Sequence, residues 1–375
     1  MINDDFLRAA LNDRMSKGNL RSLPVSRSGV DFVSNDYLGL ASNAELAKII
    51  DQRWQRQTQH QLGGTGSRLL SGNHELYDAL ESQLQQVFQS EAVLVFNSGY
   101  QANQALIASV TGRGDRLLYD ELSHVCLKEG AWLSKAQAFG FRHNDLDDLE
   151  RRLKQDTQAR TFIVTETLFS MDGDFAPIAD ILDLCDRYDA YLIVDEAHTT
   201  GVYGADGGGW LLEQGLAERV FARVYTFGKA IGAHGACVAG SQVLVDYLVN
   251  FARSFIYTTS LPPHAILTLS EAFSYLANHE HLQRDLQEVI SHYRATFKKR
   301  LGIESTSHSA IQPVWIAGSE EALRISKHLT QAGFNALAIR PPTIKHGTER
   351  LRISLHTFNT PQMVEGLIGC MKEVV

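Results

Sequence analysis

Phe221-Ala-Arg-Val-Tyr-Thr-Phe-Gly-Lys-Ala-Ile-Gly232 is the stretch on which the fold turns. It begins as an apolar, strand-like run and then places Lys229 among small residues, Gly228, Ala230, Gly232 and Ala233. Upstream, Tyr191-Leu-Ile-Val-Asp-Glu-Ala-His198 is a second apolar run that ends in charge. Further runs of this kind are Ala92-Val-Leu-Val-Phe96, Arg116-Leu-Leu-Tyr119 and Thr161-Phe-Ile-Val-Thr165. Short apolar runs without polar alternation suit strands buried on both faces. Helical stretches near 100–110, 123–133, 145–155 and 177–188 separate them. The alternation predicts an α/β fold, a mainly parallel sheet with helices on both faces. In such sheets ligands bind at the carboxyl ends of the strands. Ser98-Gly99-Tyr100, Ser170, Asp195, His198 and Lys229 all follow strand runs directly, on that side.

Towards the N-terminus, Phe6, Leu7, Ala10, Leu11 and Met15 recur at helical spacing before Gly18. Ser42 with Glu45 reads as a capping box for a helix over Leu46 to Trp54. Leu76, Leu80, Leu84, Val87 and Phe88 mark a helix that starts near His74. Beyond Leu261-Pro-Pro-His264 the pattern changes: one long helical stretch over 263–302, a strand-like Ile311 to Ile316, a helix near 320–332 and a strand from Arg350 to Leu355. These divide the chain into an N-terminal helix and arm (1–40), a large α/β domain (41–265) and a smaller α+β C-terminal domain (266–375).

The 375 residues are 44% hydrophobic and 21% charged, a globular composition. A net charge of -8 argues against nucleic-acid binding, which needs a basic face. Cys126, Cys185, Cys237 and Cys370 form no Cys-x-x-Cys pair and read as reduced thiols, with no metal site. No apolar run approaches the roughly 18 residues of a membrane span. Met1-Ile-Asn-Asp-Asp carries acids where a signal peptide needs a basic start, so the expected location is cytoplasmic.

A lysine amid glycines at one strand end, with an acid and an imidazole at another, suits pyridoxal phosphate. The amine of Lys229 would bond the aldehyde and Asp195 would keep the ring nitrogen protonated. An acid closing the most apolar strand is costly unless paired, which favours a functional Asp195. His198 can reach the phenolic oxygen. Glu196 points away from Asp195 in an extended chain and is left out. Asn97-Ser-Gly-Tyr-Gln101 opens a helix directly after a strand, a phosphate-binding geometry, and Thr226 and Ser170 could add hydroxyls. His124 is the candidate for the ring face. Arg340, stiffened by Pro341 and Pro342, offers a planar fork for a substrate carboxylate.

With these residues assembled, the chain resembles the α-oxoamine synthases, pyridoxal-phosphate enzymes of the aspartate-aminotransferase fold type (fold type I). The likeness runs from about Asn35 to Leu355. It rests on Ser34-Asn-Asp-Tyr-Leu-Gly-Leu40, Gly63-Gly-Thr-Gly-Ser-Arg68 with Ser71-Gly72, Ser98-Gly-Tyr100, Leu122-Ser-His124, Phe169-Ser-Met-Asp-Gly-Asp174, Asp195-Glu-Ala-His198, Thr226-Phe-Gly-Lys229 and Arg340-Pro-Pro-Thr343. The resemblance implies that Lys229 is the Schiff-base lysine, that His124 stacks on the ring, that Asp195 pairs with the ring nitrogen and that His198 bonds the phenolic oxygen. Gly99, Tyr100, Ser170 and Thr226 would contact the cofactor. Arg21, Asn35, His124, Arg340 and Thr343 would lie around the substrate. The segment Ser22–Phe32 is shorter than the family's hairpin there. Ser309-Ala-Ile-Gln-Pro313 with Ala338-Ile-Arg-Pro-Pro-Thr343 is most similar to the branch that joins L-alanine to a pimeloyl thioester in biotin synthesis. Either coenzyme A or acyl carrier protein could present the thioester, with Lys345, Arg350 and Arg352 as candidates to meet its phosphate. A homodimer is implied as well. A sister synthase using glycine or serine, an aminotransferase, and a non-catalytic cofactor-binding protein remain as alternatives.

Overall fold

A computed structural model describes residues 3–21, 23, 28–155 and 158–374. Residues 22 and 24–27 of the shortened N-terminal segment lie outside the described residues. The chain forms two compact units. One holds residues 35–288 and 356–358; the other joins residues up to 34 with 289–355 and 359 onward. The sequence reading had separated the arm and placed a boundary at 265/266, whereas these units divide inside a helix, between Glu288 and Val289.

Helix α1 (Asp5–Ser16) opens the chain in the smaller unit. Its apolar stripe of Phe6, Leu7, Leu11 and Met15 is exposed. The larger unit starts with α2 (Ala44–Gln55) and α3 (Glu75–Val87). The N-cap of α2 is Asn43, whose side chain accepts from the Leu46 amide at 2.9 Å, so the box expected at Ser42 is displaced by one residue. Asparagine is as good a cap as serine, and Ser42 instead ends a short 3-10 turn. The α/β alternation follows: β1 (Ala92–Phe96), α4 (Gly99–Val110), β2 (Arg116–Asp120), α5 (Val125–Leu133), β3 (Gln137–Phe141), α6 (Leu146–Leu153), β4 (Thr161–Glu166), α7 (Ile178–Tyr188), β5 (Ala190–Asp195), α8 (Trp210–Glu213), β6 (Ala222–Thr226) and β7 (Ala236–Gly240). Three helices complete this region, α9 (Gln242–Phe251), α10 (Arg253–Ile256) and α11 (Pro263–Ala277).

Among the described residues the strands form one seven-stranded sheet in the order β1-β7-β6-β5-β4-β2-β3. All pairings are parallel except those of β7, which runs antiparallel to both β1 and β6. Side chains alternate between two cores, as a doubly covered sheet requires. Along β4, Phe162 and Val164 join one core and Ile163 the other; along β5, Ile193 is opposed to Leu192 and Val194. The expected α/β architecture is therefore present.

The long helix expected over 263–302 is two helices, α11 and α12 (His281–Leu301). Asn278 at the end of α11 draws its side chain back to the Ser274 carbonyl, a local bond that competes with helix continuation. In the smaller unit, β8 (Ile311–Trp315), β9 (Leu337–Ile339) and β10 (Arg350–Ser354) make an antiparallel sheet in the order β9-β10-β8. Residues 30–31 pair in parallel with 334–335. Helices α13 (Ser319–Gln331) and α14 (Pro361–Lys372) complete this smaller α+β unit. No helix of the described residues is long and apolar enough to cross a membrane.

Candidate active site

The carboxyl ends of the parallel strands bring chemistry together in the larger unit. A cavity of about 250 Å³ there is lined by Asn35, Gly99, Tyr100, His124, Asp195, His198, Thr226 and Lys229. All eight were singled out in the sequence. Asn103, Cys126 and Glu166, which were not, share the wall.

Lys229 sits on the connection from β6 to β7. Phe227 and Gly235 continue the pairing there, and the Gly232 amide closes a turn onto the Lys229 carbonyl at 2.8 Å. Gly232 has φ 68°, and a Cβ on it would collide with the backbone at Leu40 and Ala41. Lys229 Nζ lies 2.8 Å from His198 Nε2. The other ring nitrogen of His198 is 2.7 Å from the Tyr37 hydroxyl, which reaches Asn35 Oδ1 at 3.1 Å. A chain of polar groups thus runs from the amine to Asn35.

Asp195 ends β5 and is 5% exposed. Its two oxygens accept from Asn103 Nδ2 at 2.6 Å and from the Ala197 amide at 2.7 Å. Glu166 ends β4 directly beside it, in register across the parallel pair. Two carboxyls this close and this buried do not both ionise readily. Burial first, and the Asp195 charge second, raise the Glu166 pKa. Glu166 Oε1 accepts from the His124 amide at 2.5 Å. His124 is exposed at the cavity lip. Its pKa is lowered, chiefly by the surrounding protein; Asp195 opposes that shift and Lys229 adds to it. Tyr100 stands edge-on to His124, with ring centroids 6.2 Å apart. Its hydroxyl bonds Glu129, which pushes its pKa up to about 12.

The N-terminus of α4 completes the set. Ser98 caps it by accepting from the Gln101 amide at 3.3 Å, and the first-turn N–H groups of a helix have no helical acceptors. A Cβ on Gly99 would collide with the methyl of Thr226, so only glycine lets the helix start approach the end of β6. An anion cradle, a buried carboxylate held by two donors, and an amine beside an imidazole fit pyridoxal phosphate in size and chemistry.

The remaining candidates are not among the residues lining this cavity. Ser170 is on the loop after β4, half-buried, and does not line the cavity. Arg21, Arg340 and Thr343 belong to the smaller unit, where Arg21 donates to the Thr343 hydroxyl at 3.1 Å and Arg340 to the Gly18 carbonyl at 3.1 Å. Arg350 and Arg352 are only 4% and 7% exposed, so they do not offer a surface for a carrier's phosphate. Arg350 stacks over Trp315 at 3.9 Å and Arg352 donates to Ser354 at 2.7 Å. Glu196, set aside in the sequence, is fully buried and accepts from the Trp210 and Leu211 amides, outside the cavity lining. Glu166 carried the same signal as Asp195, an acid closing an apolar strand. Asn103 could have been found four residues after Gly99, on the same helix face.

A model of the aminotransferase class I and II family matches residues 27–369. An 8-amino-7-oxononanoate synthase of Methylobacillus flagellatus is 41% identical over 98% of this chain and 95% of its own. The enzyme of that name from Alkalilimnicola ehrlichii is 41% identical over 93% and 89%. Among solved structures, a serine palmitoyltransferase of Sphingomonas wittichii superposes with a TM-score of 0.88 at 27% identity, covering 99% of this chain and 96% of that one. An 8-amino-7-oxononanoate synthase of Francisella tularensis gives 0.78 at 26% over 92% and 97%. The chain belongs to the aminotransferase class I and II family of pyridoxal-phosphate enzymes, in the branch of its 8-amino-7-oxononanoate synthase relatives.

Proposed function

We propose that the protein condenses L-alanine with a pimeloyl thioester, releasing carbon dioxide and the carrier thiol and yielding 8-amino-7-oxononanoate. The observation that carries this reading is 41% identity to synthases of that name over nearly the whole chain. It is supported by a cavity in which amine, imidazole and carboxylate meet.

Pyridoxal phosphate, when bound, supplies an electron sink for the pair left at the amino acid's Cα. Lys229 would hold it through the aldehyde, and the amides at the start of α4, with Thr226, would hold its phosphate. Asp195, fixed by Asn103 and the Ala197 amide, is the carboxyl that would face the pyridine nitrogen. His124 would face the ring, and Ser170 and His198 the phenolic oxygen. Once alanine is bound, the Lys229 amine takes the Cα proton, a role worth roughly 10²- to 10⁴-fold. His198 keeps that amine directed into the cavity. Arg340, with Arg21, Asn35 and Thr343, is proposed for the substrate side, the guanidinium fork being suited to a carboxylate. Lys345 remains the cation proposed to meet coenzyme A or acyl carrier protein. The protein is proposed to act as a cytoplasmic homodimer.

A sister reaction with serine or glycine draws support from the serine palmitoyltransferase superposition, closer than that of the Francisella enzyme. The higher identity of the synthases in sequence favours alanine. Mass spectrometry of products from alanine, glycine and serine, each with pimeloyl and palmitoyl thioesters, decides. The aminoketone from alanine and pimeloyl thioester should dominate; a long-chain product from serine would replace the assignment.

A further inference from the structure

One partly buried cluster of the larger unit plays no part in the chemistry above. His143, on the turn after β3, lies between two carboxylates. Its Nδ1 is 3.0 and 3.1 Å from the oxygens of Asp120, and its Nε2 is 2.8 Å from Asp174 Oδ2. Asn144 follows with φ 51°, an unfavourable conformation that its bonds hold in place. Its amide donates to Asp120 at 2.9 Å and its side chain to Asp174 at 2.8 Å.

The two carboxylates belong to two different loops. Asp120 ends β2, is fully buried, and also accepts from the Leu122 amide at 2.8 Å, inside the turn that presents His124. Asp174 closes the loop that carries Ser170. The Phe169 amide donates to the Asp174 carbonyl at 3.0 Å, and the Gly173 amide returns to Phe169 at 2.9 Å. The edge of the His143 ring rests on Phe169, with centroids 4.4 Å apart. A carboxylate only accepts, so both ring nitrogens must donate. Burial opposes the resulting charge, but the two carboxylates outweigh it and push the His143 pKa up to about 10.

We propose that His143, bridging Asp120 and Asp174, is a positioning residue that fixes the His124 turn and the Ser170 loop relative to each other before the cofactor binds. The bridge acts through His124 and Ser170 and touches neither cofactor nor substrate. This rests on the reading that those two residues face pyridoxal phosphate, and the test separates the two claims.

Apoprotein carrying His143→Gln, Asp174→Asn or both is titrated with pyridoxal phosphate, followed by the absorbance of the bound cofactor. Thermal melting of each apoprotein is recorded alongside. Glutamine is uncharged and carries its N–H donors on one nitrogen, where His143 meets the two carboxylates with two separate ring nitrogens, so His143→Gln should weaken cofactor affinity about tenfold. Asp174→Asn should do the same, and the double variant should be no weaker than the worse single one, because all three break one bridge. Leu276→Ala, at a buried position of α11 beside Gly207 and outside the cavity lining, is the stability control. It should lower melting yet change affinity by less than about twofold. Additive losses, or His143→Gln affinity loss no greater than that of Leu276→Ala at equal melting loss, would overturn the proposal. If His124→Ala and Ser170→Ala also leave affinity unchanged, the reading that these two residues face the cofactor falls. If they weaken it while His143→Gln does not, the bridge alone is wrong.

Discussion

At the end of β5, two acids joined by one peptide bond meet different surroundings. Asp195 is held by one amide and one asparagine and opens onto a cavity with Lys229, His198 and His124 on its walls. Glu196, on the opposite side of the strand, is closed in by donors from the chain itself: the amides of Trp210 and Leu211 at 2.9 and 2.8 Å, and the Thr199 hydroxyl. Successive strand residues point to opposite faces, so one step along the backbone separates chemistry from architecture. Burial alone does not mark a functional acid. What marks it is a buried acid whose remaining side faces space that another molecule can occupy.

The largest expected effect tests the cavity face at its centre. Lys229→Ala should abolish turnover while the apoprotein melts within a few degrees of wild type. Measurable product formation above background would remove Lys229 from the mechanism. Asp195→Asn comes next. Cofactor should still bind, seen by its visible absorbance, while turnover falls about 10²- to 10³-fold, the usual loss of a preorganised charge. A turnover within threefold of wild type would put Asp195 on the same footing as its neighbour.

Glu196→Gln sharpens the contrast from the other face. It should lower stability by about 1–3 kcal/mol, because an amide nitrogen would confront donors that now meet an oxygen. The kcat/KM of the folded enzyme should stay within about twofold. Loss of activity without loss of stability would erase the distinction. The same acid sets a pH dependence. Burial, working against the bonds from Thr199, Leu211 and Trp210, raises its pKa from 4.5 to about 7. A raised carboxyl favours the folded state when protonated, so its contribution is complete below pH 4.5 and disappears as pH climbs through 7. Denaturant midpoints of wild-type apoprotein should fall over that window more steeply than those of Glu196→Gln. Parallel curves would show that Glu196 does not titrate there.

The smallest effect belongs to the edge of the site. Tyr37→Phe removes the hydroxyl between His198 and Asn35, a neutral hydrogen bond worth about 0.5–1.5 kcal/mol. A three- to tenfold loss in kcat is expected, and an unchanged kcat would confine Tyr37 to packing.

Much of this molecule is legible in its sequence. The strand read at Ala92–Phe96 is β1 itself, and the reading at Thr161–Thr165 misses β4 by its final residue, Glu166. Fully buried strands betray themselves through unbroken apolar runs. The two strands of the seven-stranded sheet that went unread lack that signature. In β3, Gln137-Ala-Phe-Gly-Phe141 alternates exposed and covered residues at the sheet edge. In β7, Ala236-Cys-Val-Ala-Gly240 is built of small residues that say little about conformation. The site followed a similar rule. Residues at strand ends or helix starts were found, because local sequence places them there, with the exception of Glu166, which ends β4 and was passed over despite that signal. Cys126 and Tyr37 were not, since their roles depend on which side chains the fold sets opposite them; Asn103 was missed although its spacing from Gly99 places it on the same helix face. The helix break at Asn278–Glu280 escaped for want of a proline or glycine to announce it.

The contact between Arg21 and Thr343 has a consequence for synthesis. These residues lie 322 positions apart, so the first cannot meet the second until all the residues between them have been made. At about 5–20 residues per second, that wait lasts roughly 15–65 s. The intervening unit, continuous from 35 to 288, can organise its sheet on the ribosome meanwhile. For that interval the exposed leucines and phenylalanine of α1 travel without the C-terminal half of their own unit, a period in which a nascent-chain chaperone would have most to hold.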